Sequence, residues 1–516
     1  MNDRSHGLGL RMLVVSGGVL ASRVLGLMRD MAFAYVFGTS TALAAFVIAN
    51  TFPNLLRELF GEGAFSHAMV PVFSTSIEKE GENRAWDGAC RVISTLILVV
   101  AALTLAGILL ALLLRPWFTG ELPNLTLTLI PWLLPYAIMV CACAALAAAL
   151  NSVGRFAVPA YSQTIMNIAL IAAAFAPALL PQSDVAKSRA VWFLVAGVLI
   201  AGLVQWLVHL RSCGHHLQPF KFQVDFRHPM VGRVARLMAP AMVGVGVMQI
   251  NIVVDRVLAG WLGALETTSL YYSQRLIYLP VGLFGVAMGI VALPAMSQAW
   301  ARQQRQDMLT SLDTAFRQVL FLTLPAVALL SALRYPVISL LFERGGFTEE
   351  STAATAWAML FYLPGIPMFA CAKIAVTPFY ARHDTRTPVR VATLCMGLNL
   401  ILNLILMQFL RQGGLALATS ICSAVNVLTL LILTTRHLGG GVFGKLFKPV
   451  AKMTVAAALA YLAAVIVLRQ LPPEPTLFAR LLQVALPTAA AGAVYLAATL
   501  LLACREPWEI LGVSRQ

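Results

Sequence analysis

The sequence predicts an all-α polytopic membrane protein of fourteen transmembrane helices, built as two pseudo-symmetric six-helix lobes plus a C-terminal helix pair. Three observations predict it. Of 516 residues, 59% are hydrophobic and 11% charged, with a mean hydropathy of +0.81, whereas a soluble globule carries about 25% charged residues. Apolar windows of about 20 residues, the length that crosses a bilayer, are centred near residues 25, 55, 103, 138, 170, 199, 248, 283, 324, 364, 399, 425, 460 and 490. An internal repeat then pairs Asp30 with Asp255, Gly38 with Gly263, Phe60-Gly61 with Phe284-Gly285 and Pro71 with Pro294, and the loop before Pro159 with the one before Pro388. Parallel repeats of this kind are a transporter architecture, with the substrate site at the interface of the lobes.

The first lobe, residues 1–212, opens without a short apolar core and small-residue cleavage site, so Met12 onward reads as a retained first helix and not a signal peptide. Helices 1 and 2 span SRVLGLMRDMAFAYVFG and TFPNLLRELFGEGAFSHAMVP, and they place Arg23, Arg29, Asp30, Arg57, Glu58 and Glu62 at membrane depth. A charge there costs about 2.5–3.5 kcal/mol on insertion scales, so such residues face a protein interior or a wet pathway. One reading is a set of internal ion pairs, since Arg29–Asp30 and Arg57–Glu58 each sum to zero; it explains Arg23 poorly. The other is an anion pathway. Asn54 lies on the same polar stretch.

An inter-lobe linker, 213–230, follows within RSCGHHLQPFKFQVDFRHP, where adjacent His215 and His216 read as solvated side chains and not metal ligands. The second lobe, 231–438, carries Asp255 and Arg256 in helix 7, Arg275 in the YYSQRLIYLP of helix 8, and Lys373 in helix 10. Asn399 and Asn403 are four apart, on one face of helix 11, and Thr419 follows in helix 12. Asp255, Asn399, Asn403 and Thr419 offer oxygens that suit a hard monovalent cation such as sodium; hydrogen bonding between helices explains the amides and hydroxyl equally well. Residues 439–516 hold helices 13 and 14, outside the repeat and nearly uncharged within the membrane, a pair suited to lipid contact.

Charge sets the orientation. Of 37 lysines and arginines, 22 fall on one side and 8 on the other, and the positive-inside rule puts both termini in the cytoplasm. The net charge of +15 therefore reads as topology and not as a nucleic-acid footprint. The eight cysteines show neither zinc spacing nor a disulfide framework, and Cys90, Cys213 and Cys504 fall at the inner face, where thiols stay reduced. No nucleophile motif or nucleotide loop appears; GEGAFS at Gly61 lacks the lysine of a phosphate-binding loop. An enzyme is not expected, and energy must come from an ion gradient or the membrane potential.

SRVLGLMRD, PNLLRELFGEGAFSHAMVP, YYSQRLIYLPVGLFGVAMGIVALP and YARHDTRTPV resemble the bacterial lipid II flippase family (MurJ/MviN) of the MOP transporter superfamily, over nearly the whole chain. The resemblance implies a fourteen-helix flippase of the bacterial cytoplasmic membrane. Such a protein moves lipid II, the undecaprenyl-pyrophosphate-linked peptidoglycan precursor, from the inner to the outer leaflet by alternating access, among membrane lipids and alongside the peptidoglycan-synthesis machinery. It implies cavity-lining roles for Arg23, Arg29 and Arg275, with Arg57, Asn54 and Glu62 beside them, and a sodium site at Asp255, Asn399, Asn403 and Thr419. Guanidinium groups suit the pyrophosphate, which they bind bidentately without losing charge.

The chain departs from the family pattern at four places. Arg57-Glu58 stands where two arginines are common, Ala44 where an acidic residue is, Tyr278 where some relatives have a carboxylate, and Asn403 where some have another. Two other readings remain: an exporter of another polyprenyl-linked oligosaccharide or of drugs, and a membrane scaffold that does not transport.

Overall fold

The computed structural model describes residues 2–61, 63–179, 185–214, 221–439, 442–472 and 476–510. Glu62, His215 and His216 lie outside them. Helices are the regular elements of the described residues, with no strand among them, as a lipid environment requires of a chain that must satisfy its backbone polar groups internally. The chain divides into two compact units, Met1–Thr268 and Ser269–Gln516.

The first unit contains α1 (Asn2–Phe37), α2 (Thr41–Ala49), α3 (Thr51–Phe60), α4 (Gly63–Glu80), α5 (Glu82–Leu114), α6 (Glu121–Leu133), α7 (Pro135–Ser152), α8 (Ala157–Phe175), α9 (Val185–Ser212) and α10 (Pro229–Leu262). α1 lies along α8 because small residues recur every fourth position, Gly18, Ser22 and Gly26. A Cβ on Gly18 would stand 2.8 Å from the Ala160 carbonyl oxygen, so only glycine permits this approach, the small-residue packing that associates helices in lipid. α2 is apolar and buried from Ala42 to Ala49, as a helix hydrophobic all round should be. Phe65, Met69, Phe73, Trp86 and Ile93 centre the core between α4, α5 and α7, with Met230 and Val234 of α10 packed into it. By contact α10 thus belongs to the first unit, although the sequence repeat starts its second copy there.

α11 (Ala264–Pro280) crosses the division. The second unit continues with α12 (Val286–Ala301), α13 (Arg305–Phe342), α14 (Glu349–Tyr362), α15 (Gly365–Ala375), α16 (Thr377–Ala381), α17 (Arg386–Leu410), α18 (Gln412–Leu438), α19 (Val442–Gln470), α20 (Leu477–Leu501) and α21 (Glu506–Ile510). A π-helical turn, Val281–Gly285, joins α11 to α12. Met296, Phe316, Val319, Ile374, Met453 and Tyr495 centre this core. The last helix pair packs on α13: Tyr495 donates its hydroxyl to the Phe321 carbonyl at 2.8 Å. Arg480 caps the end of α13 through the carbonyls of Ser339 and Glu343 and the Glu343 carboxylate, at 3.1–3.2 Å, the place where a cation complements exposed carbonyls.

Eleven described helices are long and apolar enough to span a membrane, or twelve if the pair Glu349–Tyr362 and Gly365–Ala381, bent by 46°, is one span. These twelve coincide with windows 3 to 14 of the sequence. The first two windows are the exceptions, α1 with Arg23, Arg29 and Asp30 in its apolar part and the stretch of α2 to α4, broken at Asn50 and Gly61.

Candidate functional site

The charged side chains of the first span begin the site. On α1, Arg29 and Asp30 are neighbours, and the guanidinium folds onto its own carboxylate: Nε donates to Asp30 Oδ1 at 3.1 Å and Nη2 at 2.8 Å. Its third edge is held from α8, where Asn167 Oδ1 accepts from Nη1 at 3.0 Å. Asn167 is itself buried and fixed, donating through Nδ2 to the Ser22 carbonyl at 2.9 Å. Gly26, one turn further along α1, faces the same amide: a Cβ there would stand 3.8 Å from Asn167 Nδ2. The Phe33 ring lies 5.7 Å from the Arg29 guanidinium carbon. Of five N–H groups on an arginine, three are committed here.

Arg23 differs. It is exposed, and among the described residues no hydrogen-bond or ion-pair partner reaches it. The ion-pair reading therefore holds for Arg29 and not for Arg23. On α3, Arg57 reaches Glu58 at 3.5 Å, with both side chains partly exposed, so this departure from the paired-arginine pattern gives a largely self-compensated charge. Asn54 donates to the Asn50 carbonyl at 2.8 Å, bridging the break between α2 and α3. Ala44 is fully buried in α2, where a carboxylate would need a partner.

On α10 the Asp255 carboxylate accepts from Asn251 Nδ2, one turn earlier, at 3.5 Å. Asp255 lies in the first unit, and Asn399, Asn403 and Thr419 lie in the second. On α17, Asn403 Nδ2 donates to Asn399 Oδ1 at 2.8 Å, and both amides are buried. Asn399 Nδ2 has no hydrogen-bond partner. Turning both amides over keeps the bond and presents the Asn399 oxygen in its place, an acceptor a cation can use. The Thr419 hydroxyl donates to the Leu415 carbonyl at 2.9 Å, leaving its lone pairs as acceptors. These three residues fit a hard cation, though they equally fit hydrogen bonding. Among the described residues no group of three His, Cys, Asp or Glu side chains gathers to hold a metal.

Arg275 on α11 is exposed, its guanidinium carbon 5.0 Å over the Tyr271 ring and Nη2 3.5 Å from the Tyr271 hydroxyl. One residue earlier, Gln274 donates to the Tyr362 hydroxyl at 2.8 Å, fixing the face on which Arg275 is presented. Tyr278 is exposed and lies 6.3 Å from the Phe369 ring. At the end of α9, burial pushes the Cys213 thiol up to about 12, and all eight cysteines are free and buried, so none is a ready nucleophile.

A family model described as lipid II flippase MurJ matches residues 33–479. The chain belongs to the lipid II flippase MurJ family. It is 34% identical over 432 residues to the probable lipid II flippase MurJ of Vibrio cholerae, covering 80% of each chain, and 33% identical to that of Haemophilus influenzae, covering 79% of this chain and 82% of the relative. Its fold is similar to a solved structure of lipid II flippase MurJ in an inward closed conformation, with TM-score 0.76 and 26% identity, covering 97% of this chain and 99% of that one. A MATE-family multidrug transporter of the MOP superfamily shares the fold at TM-score 0.64 and 13% identity, covering 81% and 94%; at that identity the likeness is of fold alone. Within the MurJ family, then, the residues that sequence reasoning missed are Asn167 and Asn251. Both are amides in apolar helices, and neither has a local pattern that marks it out.

Proposed function

We propose that this polytopic membrane protein translocates lipid II from the inner to the outer leaflet of the bacterial cytoplasmic membrane by alternating access, for cell-wall synthesis. As a MurJ-family member it is a transporter and not an enzyme. The observation that carries the substrate is the match over 97% of the chain to a solved lipid II flippase. The chemistry agrees. Lipid II presents a pyrophosphate; exposed Arg23 and Arg275, together with Arg29, are fixed-charge donors suited to it. Arg57, Asn54 and Glu62 are the further residues proposed to meet the head group.

The finer reading has fourteen spans in two six-helix lobes, both termini in the cytoplasm, and α19 and α20 as a groove for the polyprenyl tail. Sodium at Asp255, Asn399, Asn403 and Thr419 is proposed as the coupling ion. Contact with the peptidoglycan-synthesis machinery belongs to the same reading. The test is depletion of the protein in its bacterium combined with an assay for the leaflet that holds the precursor. Lipid II should accumulate in the inner leaflet; an unchanged distribution would refute the assignment.

A further inference from the structure

We propose that residues 221–227, which lead into α10, are an interfacial strap that seats Phe222, Val224 and Phe226 in the inner leaflet of the membrane. The proposal rests on the membrane-spanning, inner-side placement of this segment and not on the substrate.

The sequence Lys221-Phe-Gln-Val-Asp-Phe-Arg227 alternates polar and apolar residues, and in an extended chain successive side chains point to opposite sides. Exposure follows the alternation: Phe222 is 57%, Val224 37% and Phe226 62% exposed, while Gln223 and Asp225 are half-buried. The polar side is fastened to α5. The Gln223 N–H donates to Ser94 Oγ at 3.1 Å, and Asp225 Oδ2 pairs with Arg91 Nη1 at 3.1 Å, while Arg91 Nε also holds Asp87 at 3.0 Å. The other Asp225 oxygen accepts the Arg227 N–H at 3.0 Å, turning the chain toward α10. His228 then caps that helix by accepting from the Met230 N–H at 3.3 Å, and Met230 is packed against Gly88 of α5. The strap cannot turn its apolar side inward without breaking these bonds.

Three large apolar side chains held outward on one side of a pinned segment form a surface that needs a partner. Charge and position select lipid. Lys221 and Arg227 bracket the strip, and Arg233 and Arg236 follow it, all exposed; aromatic and aliphatic residues flanked by basic ones are the composition of segments that lie in an anionic interface. The strap also runs directly into the span Pro229–Leu262 and is tied to the span Glu82–Trp117, so its apolar edge is carried at a helix end and not out in bulk water. Its effect is to anchor the starts of α5 and α10 together at the membrane surface.

The test uses the full-length protein in vesicles of phosphatidylethanolamine and phosphatidylglycerol. Phe226→Cys, Phe222→Cys and Lys221→Cys variants are labelled with an environment-sensitive nitrobenzoxadiazole, and the eight native thiols, all buried, are corrected with the labelled parent. Labels at 222 and 226 should emit blue-shifted from the label at 221, be quenched by lipids spin-labelled near the head group, and be shielded from iodide. Water-like emission and full iodide quenching at both positions would overturn the proposal, as would a blue shift that appears only when cytosolic protein is added. Two apolar positions are read so that poor accumulation of one variant leaves the other. Lipid contact is scored without transport, so its outcome is independent of the flippase assignment.

Discussion

The second span of the first half and its repeat-related counterpart share a discontinuity and resolve it differently. Phe60-Gly61 pairs with Phe284-Gly285 in sequence. In the first copy the helix stops at Gly61 and has already broken at Asn50. In the second, the span Ala264–Ala301 runs on through the π turn that ends at Gly285. The neighbourhoods explain the difference. At the Asn50 break the Asn54 amide donates to the Asn50 carbonyl at 2.8 Å, so a freed backbone acceptor has a polar partner. Around Gly285 the chain reads LPVGLFGVAMG, and a Cβ on Gly285 would stand 2.7 Å from the Cα of Ala370. In such apolar packing an open break would strand buried N–H and C=O groups, and a π turn absorbs the irregularity while keeping the helix continuous. The repeat thus keeps an irregularity at the same register in both copies, a broken helix in the first and a π turn in the second.

The arginines proposed to meet substrate, Arg23 and Arg29 in the first copy and Arg275 in the second, carry the largest expected effects. Arg23→Ala, Arg29→Ala and Arg275→Ala should each abolish rescue of a depleted strain while the protein inserts and accumulates. Arg57→Ala should lose less, because Glu58 already compensates that charge. Rescue by all three of the first set at ordinary expression would remove the cavity-arginine proposal.

The aspartates test the repeat next. Asp30 pairs with Arg29, and Asp255 accepts from Asn251. With sodium as coupling ion, Asp255→Asn lowers transport and removes any difference in α10 accessibility between sodium and potassium. Identical accessibility in the two salts for the parent protein would eliminate the sodium site.

A smaller effect separates the paired glycines that end the first helix of each copy. Gly38 has φ +56°, a left-handed position that asparagine also adopts, while Gly263 has φ +139° and ψ −179°, a region open essentially to glycine alone. Gly263→Asn should destabilise by about 1–3 kcal/mol and Gly38→Asn by much less, read as thermal unfolding of the purified variants. Equal losses would show that packing and not backbone conformation sets both.

The smallest expected change lies at the other repeated loop. Gly154 and His383 precede Pro159 and Pro388 by five residues and share a left-handed conformation, φ +78° and +60°. His383→Gly relieves a cost of about 1–2 kcal/mol and loses about 0.5–1 kcal/mol to unfolded-chain entropy, so a slight rise in unfolding temperature is expected. A fall would point to a contact made by the imidazole.

The sequence by itself determined the class, the spans from the third onward and the repeat, because a bilayer demands long apolar helices and a duplicated chain keeps its glycines and prolines in register. It also identified the charged residues of the first span, since charges among apolar residues stand out. Only the tertiary structure decided what those charges do: Arg29 is bound by Asp30 and by Asn167, which is 138 residues away in the chain, and Arg23 is left open. An amide such as Asn167 or Asn251 makes no pattern in one dimension, and its role is set by what helix packing brings to it. The same holds for the π turn, for α10 packing on the first unit, and for the strap tied by Ser94 and Arg91, each of which depends on which helices touch.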